Sequence, residues 1–262
     1  MLSAPAPTRR GRNPISSESP LDLLLRNLEL RAPLSPGDRE AVLALPYQLR
    51  VLEPSTYTVR EGDPPDRCGV LVRGFAYRQK LSGDGQRQIV AIHIPGEAVD
   101  FQNLFLDVAD HSVQMLTRGE VAFLARRDLQ QLFRARPGVA HAVLVKILVE
   151  ASVFREWVLN VGRRDSKTRL AHVLCEFAVR LQAHGLAEEY GYELPMTQEQ
   201  LADATGLTSV HVNRTIRTLE REGLIERPNP RSILIGDWRK LADVGDFDTN
   251  YLHLRKDEPA LQ

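Results

Sequence analysis

The stretch from Val139 to Val161 runs for more than twenty residues without a glycine or a proline. Nothing in it stops a helix, so it is expected to form one long, continuous α-helix. Val143, Ile147, Glu150, Phe154, Trp157 and Val161 recur in it at steps of four and three, a heptad-like seam. Val145, Leu148, Val149, Ser152 and Val153 form a second apolar set elsewhere on the cylinder. A helix apolar on more than one face must bury more than one face. One face is expected to cover a domain of its own chain, and the seam to pair with the same helix of a second copy. Complete burial inside a monomer is the alternative, and it would need a large surrounding core.

The texture of the chain differs on the two sides of this helix. Residues 1–20 are rich in Pro, Ser and Arg and lack apolar periodicity, so they read as a disordered tail. Residues 21–46 carry two short helical patterns, the second with Pro36 just inside a cap at Ser35. From Leu49 to about Leu124 short β-rich runs alternate with turn residues, and Ser82-Gly83-Asp84-Gly85 between two runs is a hairpin signal. Many short strands at this spacing predict a small barrel or jelly roll. After Gly162 a polar hinge leads to a helix from Lys167 to about Ala183, with Ser166 as its cap. The expected fold is α+β. It has a tail (1–20), a β-barrel domain (21–136), a dimerisation helix (137–162), a helical C-terminal domain (163–245) and a terminal tail (246–262).

Composition excludes several classes. Only two cysteines, Cys68 and Cys175, are present and they lie far apart, which rules out a disulfide scaffold and cysteine-rich metal sites and suits a reducing cytoplasm. No run is read as reaching the roughly 18 apolar residues of a membrane span, so no membrane partner is expected. No phosphate-cradling Gly loop, metal-ligand cluster or nucleophile with a spaced base is visible, so the chain is not expected to be an enzyme and no cofactor is expected. The 34 Lys and Arg balance 34 Asp and Glu, so evidence for a nucleic-acid partner must be local.

That evidence lies in residues 197–217, TQEQLADATGLTSVHVNRTIR. Thr197 and Gln200 have capping-box spacing. Ala202 is small where two helices must cross, Gly206 permits a left-handed turn, and Thr208 can cap a second helix. Leu207, Val212 and Ile216 supply the contacts that lock it, which is helix-turn-helix spacing. The second helix offers Val210, His211, Asn213 and Arg214 towards bases, since Arg and Asn pair bidentately with guanine and adenine. Thr197, Ser209 and Arg217 are placed for phosphates. Residues 225–235 read as a strand, a turn and a strand, a wing in which Arg227 and Arg231 can reach the backbone. An ordinary helical hairpin, or a ligand-sensing module acting through protein contacts, would not need arginine on both helix and wing.

The ordered blocks resemble the Crp–Fnr family of bacterial transcription regulators over about residues 20–240. They are a barrel pattern ending in Ile94-Pro95-Gly96-Glu97, a long helix leading to Asp165, and the helix-turn-helix through Ile225. The resemblance implies a cyclic-nucleotide-binding-like barrel, a dimerising helix and a winged helix. It also implies a homodimer on palindromic double-stranded DNA and contact with RNA polymerase. Its effector pocket would fall at Gly96, Glu97, His111 and Ser112. Members that bind cyclic AMP use an Arg-Ser or Arg-Thr pair for the phosphate, and His111-Ser112 stands there instead. Cyclic AMP is therefore not expected to bind, and the effector is not identified. No cysteine precedes Cys68, which excludes an N-terminal iron–sulfur cluster; His93, His111 and His141 are expected to be structural rather than haem ligands. Arg214 matches the family arginine that reads guanine, whereas Val210 replaces the usual glutamate.

Overall fold

The computed structural model describes residues 19–187 and 191–254. Most of the tail expected at 1–20 lies outside the described residues. Its last two do not belong to a tail, because Ser19 caps α1 (Pro20–Glu29) in a capping box with Asp22. Ser35 caps α2 (Pro36–Leu43) in the same way.

The β-rich region folds into two facing antiparallel sheets. Its strands are β1 (Tyr47–Leu52), β2 (Tyr57–Val59), β3 (Arg67–Arg73), β4 (Ala76–Leu81), β5 (Arg87–His93), β6 (Ser112–Met115) and β7 (Gly119–Ala125). One sheet runs β1-β7-β3 and the other β2-β6-β4-β5. Leu71, Val99, Val113, Met115 and Val121 fill the space between them. The hairpin expected at 82–85 joins β4 to β5, with Gly85 at φ 83° where a Cβ would be strained.

Two helices follow, α3 (Arg126–Ala135) and α4 (Pro137–Arg163). Helix α4 runs straight through Gly162. By length and composition it is apolar enough to cross a membrane, contrary to the sequence expectation. Its inner face explains that composition differently: Val139, Ala142 and Val143 pack under α1 and α3, and Trp157 packs against the C-terminal domain. Buried polar contacts to the barrel and to the next helix fix the same face.

The C-terminal domain contains α5 (Ser166–Ala183), β8 (Gly191–Glu193), α6 (Gln198–Thr205), α7 (Ser209–Arg221), β9 (Ile225–Glu226), β10 (Ser232–Ile235) and α8 (Trp238–Val244). Asp165, not Ser166, caps α5, accepting from the N–H groups of Lys167 and Thr168. The wing is a sheet of order β8-β10-β9, so a strand missed in the sequence completes it. The core of this domain is continuous with the outer face of the barrel: Ile89, Ile92 and Ile94 meet Leu174, Phe177 and Leu181 of α5.

Candidate nucleic-acid interface and effector cavity

The local geometry of the helix-turn-helix follows from its sequence. Thr197 accepts from the Gln200 N–H at 3.2 Å while Gln200 Oε1 accepts from the Thr197 N–H at 2.8 Å. Gly206 takes φ 64°, and the Thr208 hydroxyl caps α7 on the His211 N–H. Val212, Ile216 and Leu219 are buried, which turns the opposite side of α7 outward. Thr205 is buried as well, and its hydroxyl is satisfied by the Leu201 carbonyl at 2.6 Å.

Ser209, Val210, His211, Arg214 and Arg217 are exposed on the outward side, and Asn213 is half-buried beside them. Arg231 is exposed on the wing and Thr197 at the start of α6. The guanidiniums of Arg214, Arg217 and Arg231 make no hydrogen bond or ion pair among the described residues. Arg227 is different: it is half-buried and donates to the Pro230 carbonyl, so it closes the wing turn rather than projecting from it.

The expected seam of α4 needs correction. Val143 and Trp157 are buried in their own chain, and the Trp157 indole N–H donates to Glu176 at 2.9 Å. Glu150 is paired with Arg78 and Lys146. Ile147 and Val161 are half-buried and Phe154 is half-exposed. The apolar residues that face away from the chain are Leu144 (53% exposed), Leu148 (58%), Val158 (53%) and Leu159. This stripe lies about a third of a turn round the helix from the expected seam, at about 100° per residue. The set containing Leu148, assigned from sequence to the barrel side, thus divides: Val149 is buried and Leu148 faces out.

The expected effector pocket is also redistributed. A cavity of about 340 Å³ lies between β4, β5, α4 and α5. Glu97 and His111 line it; Gly96 and Ser112 do not. Gly96 sits at φ 91° in a turn with its N–H on the Leu71 carbonyl, and the Ser112 hydroxyl accepts from the Glu61 N–H. Glu97 is not a surface carboxylate but the centre of a buried ion cluster. Lys146 Nζ donates to its Oε1 at 3.0 Å, Arg180 to its Oε2 at 3.0 Å, and the Ile94 N–H to the same oxygen. Burial opposes its ionisation, yet Lys146 and Arg180 outweigh that and hold the carboxyl well below its usual pKa. Arg180 also reaches Glu176 and the Ile92 carbonyl. Burial works against its charge, and Glu97 and Glu176 push its pKa up. His111 bridges Asp110 and Asp100 instead of facing Glu97. Lys146, Arg180, Arg78 and Glu176 were missed in the sequence. For Lys146, Glu176 and Arg180 a signal was present, a charge inside a largely apolar helical run; Arg78, in the mixed strand AYRQKL, gave none.

The comparisons with known proteins agree with this arrangement. Residues 49–136 match the cyclic nucleotide-binding domain family, and residues 168–244 match the Crp-like helix-turn-helix domain family. The chain is 30% identical over 192 residues to the transcriptional activator protein FnrL of Cereibacter sphaeroides, covering 72% of this chain and 77% of that protein. It is 27% identical to the nitrogen fixation regulation protein FixK of Rhizobium meliloti, over 74% and 85% of the two chains. The structure of FixK2 from Bradyrhizobium japonicum superposes with a TM-score of 0.71 at 23% identity, over 76% of this chain and 98% of that one. A cyclic nucleotide-binding-type barrel, a long connecting helix and a winged helix define a transcription regulator with a helix-turn-helix DNA-binding domain. The chain belongs to the Crp–Fnr family of transcription regulators, which are not enzymes.

Proposed function

We propose that this regulator acts in the cytoplasm as a homodimer on a palindromic operator, with the sensor, connecting helix and winged helix divided near residues 136 and 162. The observation that carries this reading is the set of exposed, unpaired arginines on α7 and the wing, in a chain with no net charge. Unpaired guanidiniums keep their forks free for guanine edges and phosphates. Arg214 reads a guanine, with Val210, His211 and Asn213 facing the neighbouring base pairs. Thr197, Ser209, Arg217 and Arg231 hold phosphates, and Arg227 serves the wing that presents Arg231. The dimer forms through Leu144, Leu148, Val158 and Leu159, with Phe154 at the edge. Two recognition helices so joined would enter major grooves about one turn, roughly 34–36 Å, apart. RNA polymerase is the expected further partner.

The cavity is the place for a signal, but not for cyclic AMP. Glu97 is committed to Lys146 and Arg180, so its carboxylate is not free for a ribose, and His111, held by Asp110 through Nδ1, offers no guanidinium fork to a cyclic phosphate. Operator selection from random DNA tests the main reading: an inverted repeat with one helical turn between half-site centres supports it, and no enriched sequence refutes it. Sedimentation of Leu148→Glu/Val158→Glu tests the face, because charges placed in a seam lose hydration without a partner. A monomer is expected, and an unchanged dimer would place the interface elsewhere. Calorimetry with cyclic AMP should show no heat of binding.

A further inference from the structure

The eight residues after α8 and Gly245, from Asp246 to His253, do not trail away from the winged helix. They cross back to the barrel domain. Gly245 lies flat on α5, where a Cβ would come within 2.9 Å of the His172 backbone nitrogen. Phe247 then packs edge-on against Trp238 and His172, with ring centroids 5.9 and 5.3 Å apart. The Tyr251 hydroxyl donates to Glu176 at 2.9 Å and lies 3.1 Å from His172 Nε2. Next comes Leu252, 1% exposed, which forms part of the cavity wall with Ile92 of β5 and Ile147 of α4. Its carbonyl accepts from Arg31 Nε, just beyond α1 near the other end of the sequence. Non-glycine residues with positive φ bracket the segment, Asp246 at 45° and His253 at 50°. Such backbone persists only where its surroundings hold it. Arg164 provides that hold at Asp246, with bonds to its carboxylate and its carbonyl.

A second contact ties the same domain to the barrel. Arg87 of β5 pairs with Asp203 of α6, and the Gln88 amide donates to the Asp203 carbonyl at 2.7 Å. Thr208 and His211, at the end of α7 that enters DNA, consequently share a cleft with Leu81, Gly85 and Gln86 of the β4–β5 hairpin. A recognition helix needs both its flanks clear, because a major groove about 12 Å wide is walled by a phosphate backbone on each side. In this arrangement the hairpin stands on one flank.

We propose that the segment Asp246–His253 is an autoinhibitory strap: it holds the winged helix against its own barrel with the β4–β5 hairpin beside the recognition helix, and its release frees α7 for DNA. This rests on the DNA-binding reading above and adds how that activity is restrained. Because Leu252 belongs to the cavity wall as well as to the strap, any change in the wall bears directly on the restraint. This route runs through the C-terminal segment and is separate from the α4 dimer face.

The test uses the full chain and two substitutions at the barrel end of the strap, Leu252→Asp and Arg31→Met. Both leave the recognition helix, the wing and the outer face of α4 untouched. Operator affinity should rise about tenfold, as expected when a binding-competent state goes from a minor to the major population. Hydrogen exchange at Arg87, Gln88 and residues 246–253 should speed up in the same variants without DNA. Melting and sedimentation verify that each variant is a folded dimer. A folded variant with unchanged or weaker operator affinity overturns the inhibitory role. Unchanged exchange at Arg87 and Gln88 overturns the strap itself. If Leu252→Asp fails to fold, Arg31→Met decides by the same two readings. Absence of operator binding in every form, wild type included, would sink the DNA reading, while the exchange measurement still judges the strap.

Discussion

Arginine serves opposite purposes in two regions of this molecule. Arg180 and Arg78 sit at the junction of barrel, α4 and α5, where each is paired with carboxylates and backbone carbonyls, Arg78 through Nη2 alone. Arg214, Arg217 and Arg231 stand on the outer side of the winged helix without a protein partner among the described residues. The difference lies in the neighbours, not in the residue. A buried guanidinium must be paired where it sits, because desolvation is costly; an exposed one can stay unpaired in water until an anion arrives. The first group therefore holds domains in place, and the second is available for recognition.

The largest effect should come from breaking the buried group. Glu97→Ala leaves Lys146 and Arg180 with only Glu150 and Glu176 as carboxylate partners, and is expected to cost about 3 kcal/mol, the low end for removing one member of a buried pair. Urea unfolding measures it; a loss under about 0.5 kcal/mol would show that the cluster is no more than a surface network. Arg214→Ala should leave stability unchanged and cost about 1–3 kcal/mol of operator affinity per contact, with relaxed preference at one base pair in each half-site. Full discrimination retained at every position would remove Arg214 from base reading.

A pH prediction sharpens the same contrast at the domain junction. His184 sits between the Asn27 amide at 2.6 Å and the Arg180 carbonyl at 2.7 Å, and burial pushes its pKa down to about 4. An unfolded chain binds that proton near pH 6.5, before the folded one does, so stability is full above about pH 6.5 and falls as the pH drops towards 4. The loss should be on the order of 1–3 kcal/mol across that window. His184→Gln should flatten the slope there, and an unaltered slope would assign it to other groups. The smallest effect is expected for Arg231→Ala: all DNA sequences weakened alike, with the salt slope reduced by about one ion per site. A change in base preference would move Arg231 from phosphate to base contact.

Much of this was legible in the chain. The capping box at Thr197, the left-handed turn at Gly206 and the cap at Thr208 depend on neighbours within a few residues, and all three formed as read. The hairpin before β5 is equally local. Other readings failed where two segments distant in sequence had to meet. The heptad steps of α4 placed Val143 and Trp157 in a dimer seam, but the periodicity shows only that the helix has apolar faces. Which face turns inward depends on α1, α3 and α5. Of the expected pocket pair Gly96 and Glu97, only Glu97 lines the cavity. The pair could not show that Lys146 and Arg180, 49 and 83 residues on from Glu97, would occupy the carboxylate. Phe247, Tyr251 and Leu252 were visible as apolar residues in a tail, with nothing local to say what they cover.

By itself the sequence determined the class of protein: a jelly-roll barrel, a long helix and a winged helix, with free arginines on the recognition helix. Short-range capping, turn conformation and apolar periodicity suffice for that, because each is decided within one or two turns of chain. Only the tertiary structure decided the rotation of α4, the ion cluster that lines the cavity at the expected effector pocket, and the return of the C-terminal segment to the barrel. These depend on burial of charge and apolar surface between segments up to 221 residues apart, the separation of Arg31 and Leu252. Such pairings are set by whole-chain packing, which leaves no periodic trace in either partner.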